Sequence, residues 1–177
     1  MIRAAVLTIS DSVHAGLRQD VSGPAVAQRL EQLGWTVAAM EVIPDDAESI
    51  SRRLATLADG NDVSAIFTTG GTGIAPRDVT PEATRDVIER ETPGLAEAMR
   101  AASLRVTPHA MLSRAVAGIR GHCLIVNLPG SPKAVRENLE TILPALPHGI
   151  ELLQEARGVD QRHELGRGAE GQGSRGA

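Results

Sequence analysis

Apolar positions along this chain fall into two alternating patterns, short continuous runs and helical stripes, and that alternation predicts the fold. Residues 4–9 form an apolar run of strand length ending in Ser10-Asp11-Ser12. A polar stretch leads to Ser22, placed to cap a helix entering at Gly23-Pro24, with Val26, Leu30 and Leu33 on one face and Gly34 as its stop. Residues 36–43 read as a second strand, ended by Pro44-Asp45-Asp46. Asp46 can cap the next helix, whose stripe is Ile50, Leu54 and Leu57. Residues 63–67 are a third, buried strand, followed by a glycine turn and a helix predicted from Pro81 to about Glu91. Pro93 opens another helix carrying Leu95 and Met99. A strand at 115–119 turns at Gly121 into a strand at 123–128. The last long helix starts at Pro132 and shows Val135, Leu139, Ile142 and Leu143. Pro144 and Pro147 interrupt it before a further turn to Gln154.

Strand and helix in alternation predict an α/β fold: three layers, αβα, around a mainly parallel central sheet. Residues 1–156 would form that domain, and the Gly-rich, apolar-poor segment 157–177 a disordered tail. In such sheets ligands bind beyond the carboxyl ends of the strands. Four polar stretches fall at predicted strand ends: Ser10-Asp11-Ser12, Asp45-Asp46, residues 69–78 and residues 130–133. Their convergence on one edge is what a single site requires.

The richest of these reads TTGGTGIAPRDVTPEAT over residues 68–84. Gly70, Gly71 and Gly73 permit positive φ and close backbone approach. Thr80 is a cap acceptor, Pro81 suits the first helical position and Glu82 complements the helix dipole. Strand, glycine turn and helix start together can hold an anion such as phosphate. The turn is neither a GxxxxGK[ST] nor a GxGxxG motif, and a tight strand-to-helix connection would look the same. Asp78 adds chemistry that a phosphate cradle does not need, pointing to a metal, although a turn aspartate is the plainer alternative. Arg77 beside it reads as a solvated neighbour. The device recurs in CLIVNLPGSPKAVR, residues 123–136, where Pro129-Gly130 breaks the strand, Ser131 can cap and Pro132 opens the helix. Lys133 is the single lysine, and a cation in the first helical turn opposes the dipole unless an anion meets it.

At 177 residues the chain suits one domain with a real core, and with 42% hydrophobic and 23% charged residues it is ordinary for a globular protein. Trp35 and Phe67 are the only aromatics, so the core is aliphatic and no stacking surface for single strands exists. A net charge of −4 without a basic cluster argues against nucleic-acid partners. Cys123 alone excludes an internal disulfide and fits a reducing cytoplasm; no span suits a membrane, and five scattered histidines show no zinc spacing.

TGGTGIAPRDVTPEAT, LPGSPKAV, an early SDS and IPDD together resemble the MogA/MoaB family of molybdenum-cofactor biosynthesis proteins, over roughly residues 4–154. The resemblance implies a molybdopterin adenylyltransferase, which joins the terminal phosphate of the dithiolene pterin to AMP from ATP. It places the family's functional aspartates on Asp45 and Asp78, its glycine turn on Gly70, Gly71 and Gly73, and its second turn on Gly130, Ser131 and Lys133. Ser10, Asp11, Thr69, Thr72, Thr80 and Pro129 complete the expected substrate contacts, with an Asx turn as the alternative for Asp11 and a helix start for Asp45. Asp45 and Asp78 would hold Mg²⁺ through oxygen ligands, with catalysis shared between them and Lys133. The family further implies a homotrimer, possible hexamers and a molybdate-inserting partner enzyme. Two rivals stay open: a pterin-binding homologue without turnover, and the competence-damage nucleotide pyrophosphatases, whose motif reads LGPTxDD instead.

Overall fold

Strands buried on every position, not on alternate ones, make the centre of this molecule. In the computed structural model, which describes residues 1–157, β1 (Arg3–Ile9) buries every residue after the first. β2 (Thr36–Ile43), β3 (Ala65–Thr69) and β6 (Cys123–Leu128) run parallel to it, with β6 and β3 also wholly buried. Such strands need cover on both faces. The sheet order is β2-β1-β3-β6-β5-β4, with β5 (Ala117–Arg120) antiparallel to β6 and β4 (Arg90–Glu91) antiparallel to β5.

Side chains alternate between two cores. On one face Ala4, Val6, Phe67 and Val126 meet α2 (Ser22–Gln32), α5 (Pro93–Leu104), α6 (Pro132–Ile142) and a last helix over 146–157, through Leu30, Met99, Leu139 and Ile150. On the other, Ala5, Leu7, Ile66 and Ile125 meet α3 (Ala47–Asp59) and α4 (Thr80–Arg85) through Ile50, Leu54 and Ala83. The three-layer expectation is met. Burial pushes the Cys123 thiol up to about 12, so this lone cysteine is a packed apolar group and no nucleophile.

The chain departs from these expectations at several points, one being that the strand expected at 63–67 runs Ala65–Thr69. The helix expected to reach Glu91 stops at Arg85, because Glu89 and Thr92 donate to β5 carbonyls (both 2.8 Å) while Val87 enters the core. Residues 11–14, read as loop, form the short helix α1 (Asp11–His14). Ser22 does not cap α2: Val21 is the cap position, and the Gly23 N–H is met by Asp20 Oδ1 at 3.1 Å. A 3-10 turn, Pro108–Leu112, precedes β5, which starts at Ala117, two residues later than expected. Asp46 and Ser131 do cap their helices, accepting from Ser49 and Ala134 N–H. Among the described residues no helix is long and apolar enough to cross a membrane. Arg157, expected to open the tail, ends the last helix, and the rest of that expectation falls on residues 158–177, outside the described residues.

Candidate functional site

β2, β1, β3 and β6 are neighbours and parallel, so their carboxyl ends lie along one sheet edge, and the four polar stretches meet there. At the end of β1, Ser10 caps α1 by accepting the Val13 N–H at 3.3 Å. Asp11 and the end of β2 are tied reciprocally: Asp11 N–H donates to Asp45 Oδ2 at 2.8 Å, and Asp45 N–H to Asp11 Oδ1 at 3.0 Å. Arg77 closes over this pair, its Nε and Nη2 donating to Asp11 Oδ2 at 2.9 and 2.6 Å. It is an ion-pair partner as well as the exposed neighbour that the sequence suggested. The guanidinium holds the Asp11 carboxyl below its usual value. Asp45 goes the other way: burial raises its carboxyl, and the charges of Asp11 and Asp78 push in the same direction.

After β3 the backbone turns through left-handed conformations at Gly70 (φ 95°) and Gly71 (φ 63°). A Cβ on Gly70 would lie 2.4 Å from Ile9 O, and one on Gly71 would lie 2.3 Å from Thr80 Oγ1 and 3.2 Å from Asp45 Oδ1. Gly73 has no positive φ; its need for glycine is room, since a Cβ there would sit 2.8 Å from Asp78 Oδ2. Both candidate aspartates therefore border the same turn. The N–H groups of Gly71, Thr72 and Gly73 have no acceptor among the described residues, leaving three consecutive donors for an anion. Thr80 is not the expected cap. Val79 takes that position, and the buried Thr80 hydroxyl donates to Gly70 O at 3.0 Å, fixing the turn from below. Asp78 and Ala75 are joined both ways at 2.9 Å, through Asp78 Oδ2 and through the backbone. The turn-aspartate alternative is met, and Asp78 Oδ1 accepts no bond among the described residues.

The second turn touches the first: a Cβ on Gly130 would lie 3.1 Å from the Gly70 Cα. Between them opens a polar cavity of about 470 Å³, lined by Ser10, Thr69, Gly70, Gly130, Ser131 and, on its outer wall, Arg18 and Asp20. Thr69 is fully buried there, 2.9 Å from Ser22 Oγ. Thr72, Gly73 and Pro129 line a different, mostly apolar cavity of about 270 Å³ beneath α5. Lys133 does not line the polar cavity. Its side chain is 74% exposed, and its Nζ lies 3.8 Å from Glu137 Oε1, which supplies some of the compensation that the sequence reading assigned to a bound anion.

Three contributors went unread in the sequence. Arg114 bonds to the glycine loop at several points. Asp20 accepts from Thr8 Oγ1 at 2.6 Å and anchors the cavity wall. Buried Asn127 donates to Thr68 and Thr84 hydroxyls at 3.0 and 2.9 Å. Among the described residues no group of three or more His, Cys, Asp or Glu could hold a metal.

Fold and site together define an α/β protein with a polar crevice at its strand ends. A family model described as "Probable molybdopterin binding domain" matches residues 5–148, and the chain belongs to that family. Molybdopterin adenylyltransferase of Helicobacter pylori is 42% identical over 154 residues, 86% of this chain and 88% of that protein. Gephyrin of Dictyostelium discoideum is 46% identical over 158 residues, 84% of this chain but 22% of that protein, so this chain spans a small part of it. The solved molybdopterin biosynthesis enzyme MoaB of Thermus thermophilus is 52% identical, with a TM-score of 0.82 over 86% of this chain and 96% of its own.

Proposed function

We propose that this chain acts in molybdenum-cofactor biosynthesis as a molybdopterin adenylyltransferase. The observation that carries the reading is the pair Asp45 and Asp78 bordering one glycine turn whose three amides are free. An anion site built for binding alone would not gather carboxylates around its donors. In the reaction an oxygen of the pterin's terminal phosphate attacks the α-phosphorus of ATP. The bond from that phosphorus to the bridging oxygen of the β-phosphate breaks, and pyrophosphate leaves. Such transfers depend on positioning and charge neutralisation more than on covalent help.

The chain's own residues divide the work. Amides of Gly71, Thr72 and Gly73 bind phosphate oxygens, and Thr80 keeps the turn in place. Ser10, Thr69, Gly130 and Ser131 shape the adjoining polar cavity for the pterin and its phosphate. Lys133 stands on the rim, able to trade Glu137 for a ligand phosphate. The donor set at Asp45 and Asp78 is all oxygen and small, which fits Mg²⁺ held jointly by one or two carboxylates and substrate phosphates. Mg²⁺ bound there would supply neutralisation of the charge that develops on the transferred phosphoryl group. We also read the protein as a cytoplasmic homo-oligomer, a trimer or hexamer that passes its product to a molybdate-inserting enzyme. A monomer by light scattering at micromolar concentration would refute the oligomer.

Pyrophosphate release from ATP, measured with and without molybdopterin, tests the function. Release that depends on the pterin is the expected result. Pterin binding without release would leave a non-catalytic homologue, and release without pterin a nucleotide pyrophosphatase. The TGIAPRD form of the loop favours the transferase.

A further inference from the structure

We propose that Arg114 is the positioning residue of the glycine loop: it sets where Asp78 stands while touching neither substrate. The inference rests on the adenylyltransferase reading above. The segment from Gly71 to Val79 belongs to no helix or strand, so no periodic hydrogen bonding holds it. Its own bonds are few. Thr80 N–H to Gly71 O at 3.1 Å closes the base, and Ala75 and Asp78 bond to each other. Arg114 provides much of the rest. Its N–H donates to Thr72 O at 2.9 Å and its Nε to Gly73 O at 2.7 Å. Its Nη2 donates to Asp78 O and its Nη1 to the Glu82 carboxylate. One residue thereby grips both ends of the loop and the helix that follows it.

Arg114 is itself well seated. Next along the chain, Ala115 O accepts from Arg100 Nη1 at 3.0 Å, and Val116 exchanges bonds with Asn127 of β6 (3.2 and 2.9 Å). The loop is thus referred through Arg114 to the centre of the sheet. The planar guanidinium, with donors in fixed directions, can serve two carbonyls and a carboxylate together; an ammonium cannot match that geometry. Removing it would leave two loop carbonyls without their partner and free Asp78 to shift, and a displacement of about 1 Å can cost about a hundredfold in rate.

The test compares Arg114→Gln, Arg114→Lys and Glu82→Gln in two measurements: pterin-dependent pyrophosphate release and amide hydrogen exchange. Arg114→Gln should lower kcat about a hundredfold while KM for molybdopterin stays within about threefold, because the polar cavity does not use this residue. Exchange at Ala75 and Asp78 should quicken about tenfold or more, with β1 and β3 unchanged. Arg114→Lys should recover only part of the rate, and it carries the test if the glutamine variant does not fold. Glu82→Gln keeps both carbonyl bonds and should stay within about threefold of wild type. Unchanged kcat in both Arg114 variants, unchanged loop exchange, or an equal loss in Glu82→Gln would overturn the proposal. Wild-type protein without pterin-dependent release would refute the adenylyltransferase reading instead, and the exchange data would still decide whether Arg114 holds the loop.

Discussion

Two strand–glycine–helix turns stand in contact at the centre of this site, and they are built differently. The turn after β6 is direct: Ser131 caps α6, Pro132 follows, and the helix begins at once. The turn after β3 delays its helix until Thr80 and fills the interval with Asp78, Arg77 and a web of bonds to Thr80, Arg114 and Ala75. The first arrangement offers shape and a rim cation, enough to bind. The second exposes free amides beside two carboxylates, one of them raised by burial. Under the proposed function the same local motif would support binding in one copy and chemistry in the other, and the distinction lies in what the intervening loop carries.

That division is broken most sharply at Asp78. Asp78→Asn should lower turnover about a thousandfold or more, as loss of the carboxylate proposed to hold the metal implies, yet leave pterin affinity within about threefold. A variant with near-normal turnover at saturating Mg²⁺ would remove the chemical role from the β3 turn. Asp45→Asn should be comparably inactive but no less stable at neutral pH. The folded protein raises this carboxyl above its usual value, so its charge opposes folding once it is ionised. Asparagine removes that charge and still accepts the Asp11 N–H. The variant's advantage in melting temperature should be full above the raised value and vanish as pH falls towards the ordinary carboxylate range. A variant that melts lower at pH 7 would show that Asp45 is mainly structural.

Stability should separate the turns next. Gly70→Ala puts a side chain in the left-handed region and 2.4 Å from Ile9 O, a cost of about 1–3 kcal/mol or more by denaturant titration. Gly130→Ala meets only a 3.1 Å contact at an exposed position with no positive φ, and should cost less than about 1 kcal/mol. Equal losses would mean the turns are equally constrained. Lys133→Ala is the mildest: affinity for pterin or ATP should weaken about threefold to tenfold, with turnover at saturation kept. Arginine should substitute well, since the side chain is exposed and not enclosed by a shaped cavity. Unchanged affinity for both ligands would leave Lys133 with only Glu137 to serve.

What the sequence disclosed follows from the range of the interactions. Strands buried on both faces read as continuous apolar runs, and the caps Asp46 and Ser131 act three residues away, so both were legible. The convergence of four strand ends followed from αβ alternation alone. Thr80 and Ser22 were misread because hydroxyls near a helix start look like caps, whereas their bonds run to Gly70 and Thr69, 10 and 47 residues away. Arg114 left no local signal at all: its side-chain acceptors lie 32 to 41 residues upstream, and only the closed sheet brings them near. The loss of the second half of the expected α4 has the same origin, since β4 exists only where β5 lies beside it.

The most direct measurement incubates wild type and Asp78→Asn separately with molybdopterin and MgATP, follows the pterin by mass spectrometry, and titrates the pterin into each protein. An adenylylated pterin with one pyrophosphate per product is predicted for wild type, and none for the variant despite near-normal pterin binding. Equal product from both proteins, or pyrophosphate from wild type without any adenylylated pterin, would contradict the assignment of chemistry to the β3 turn.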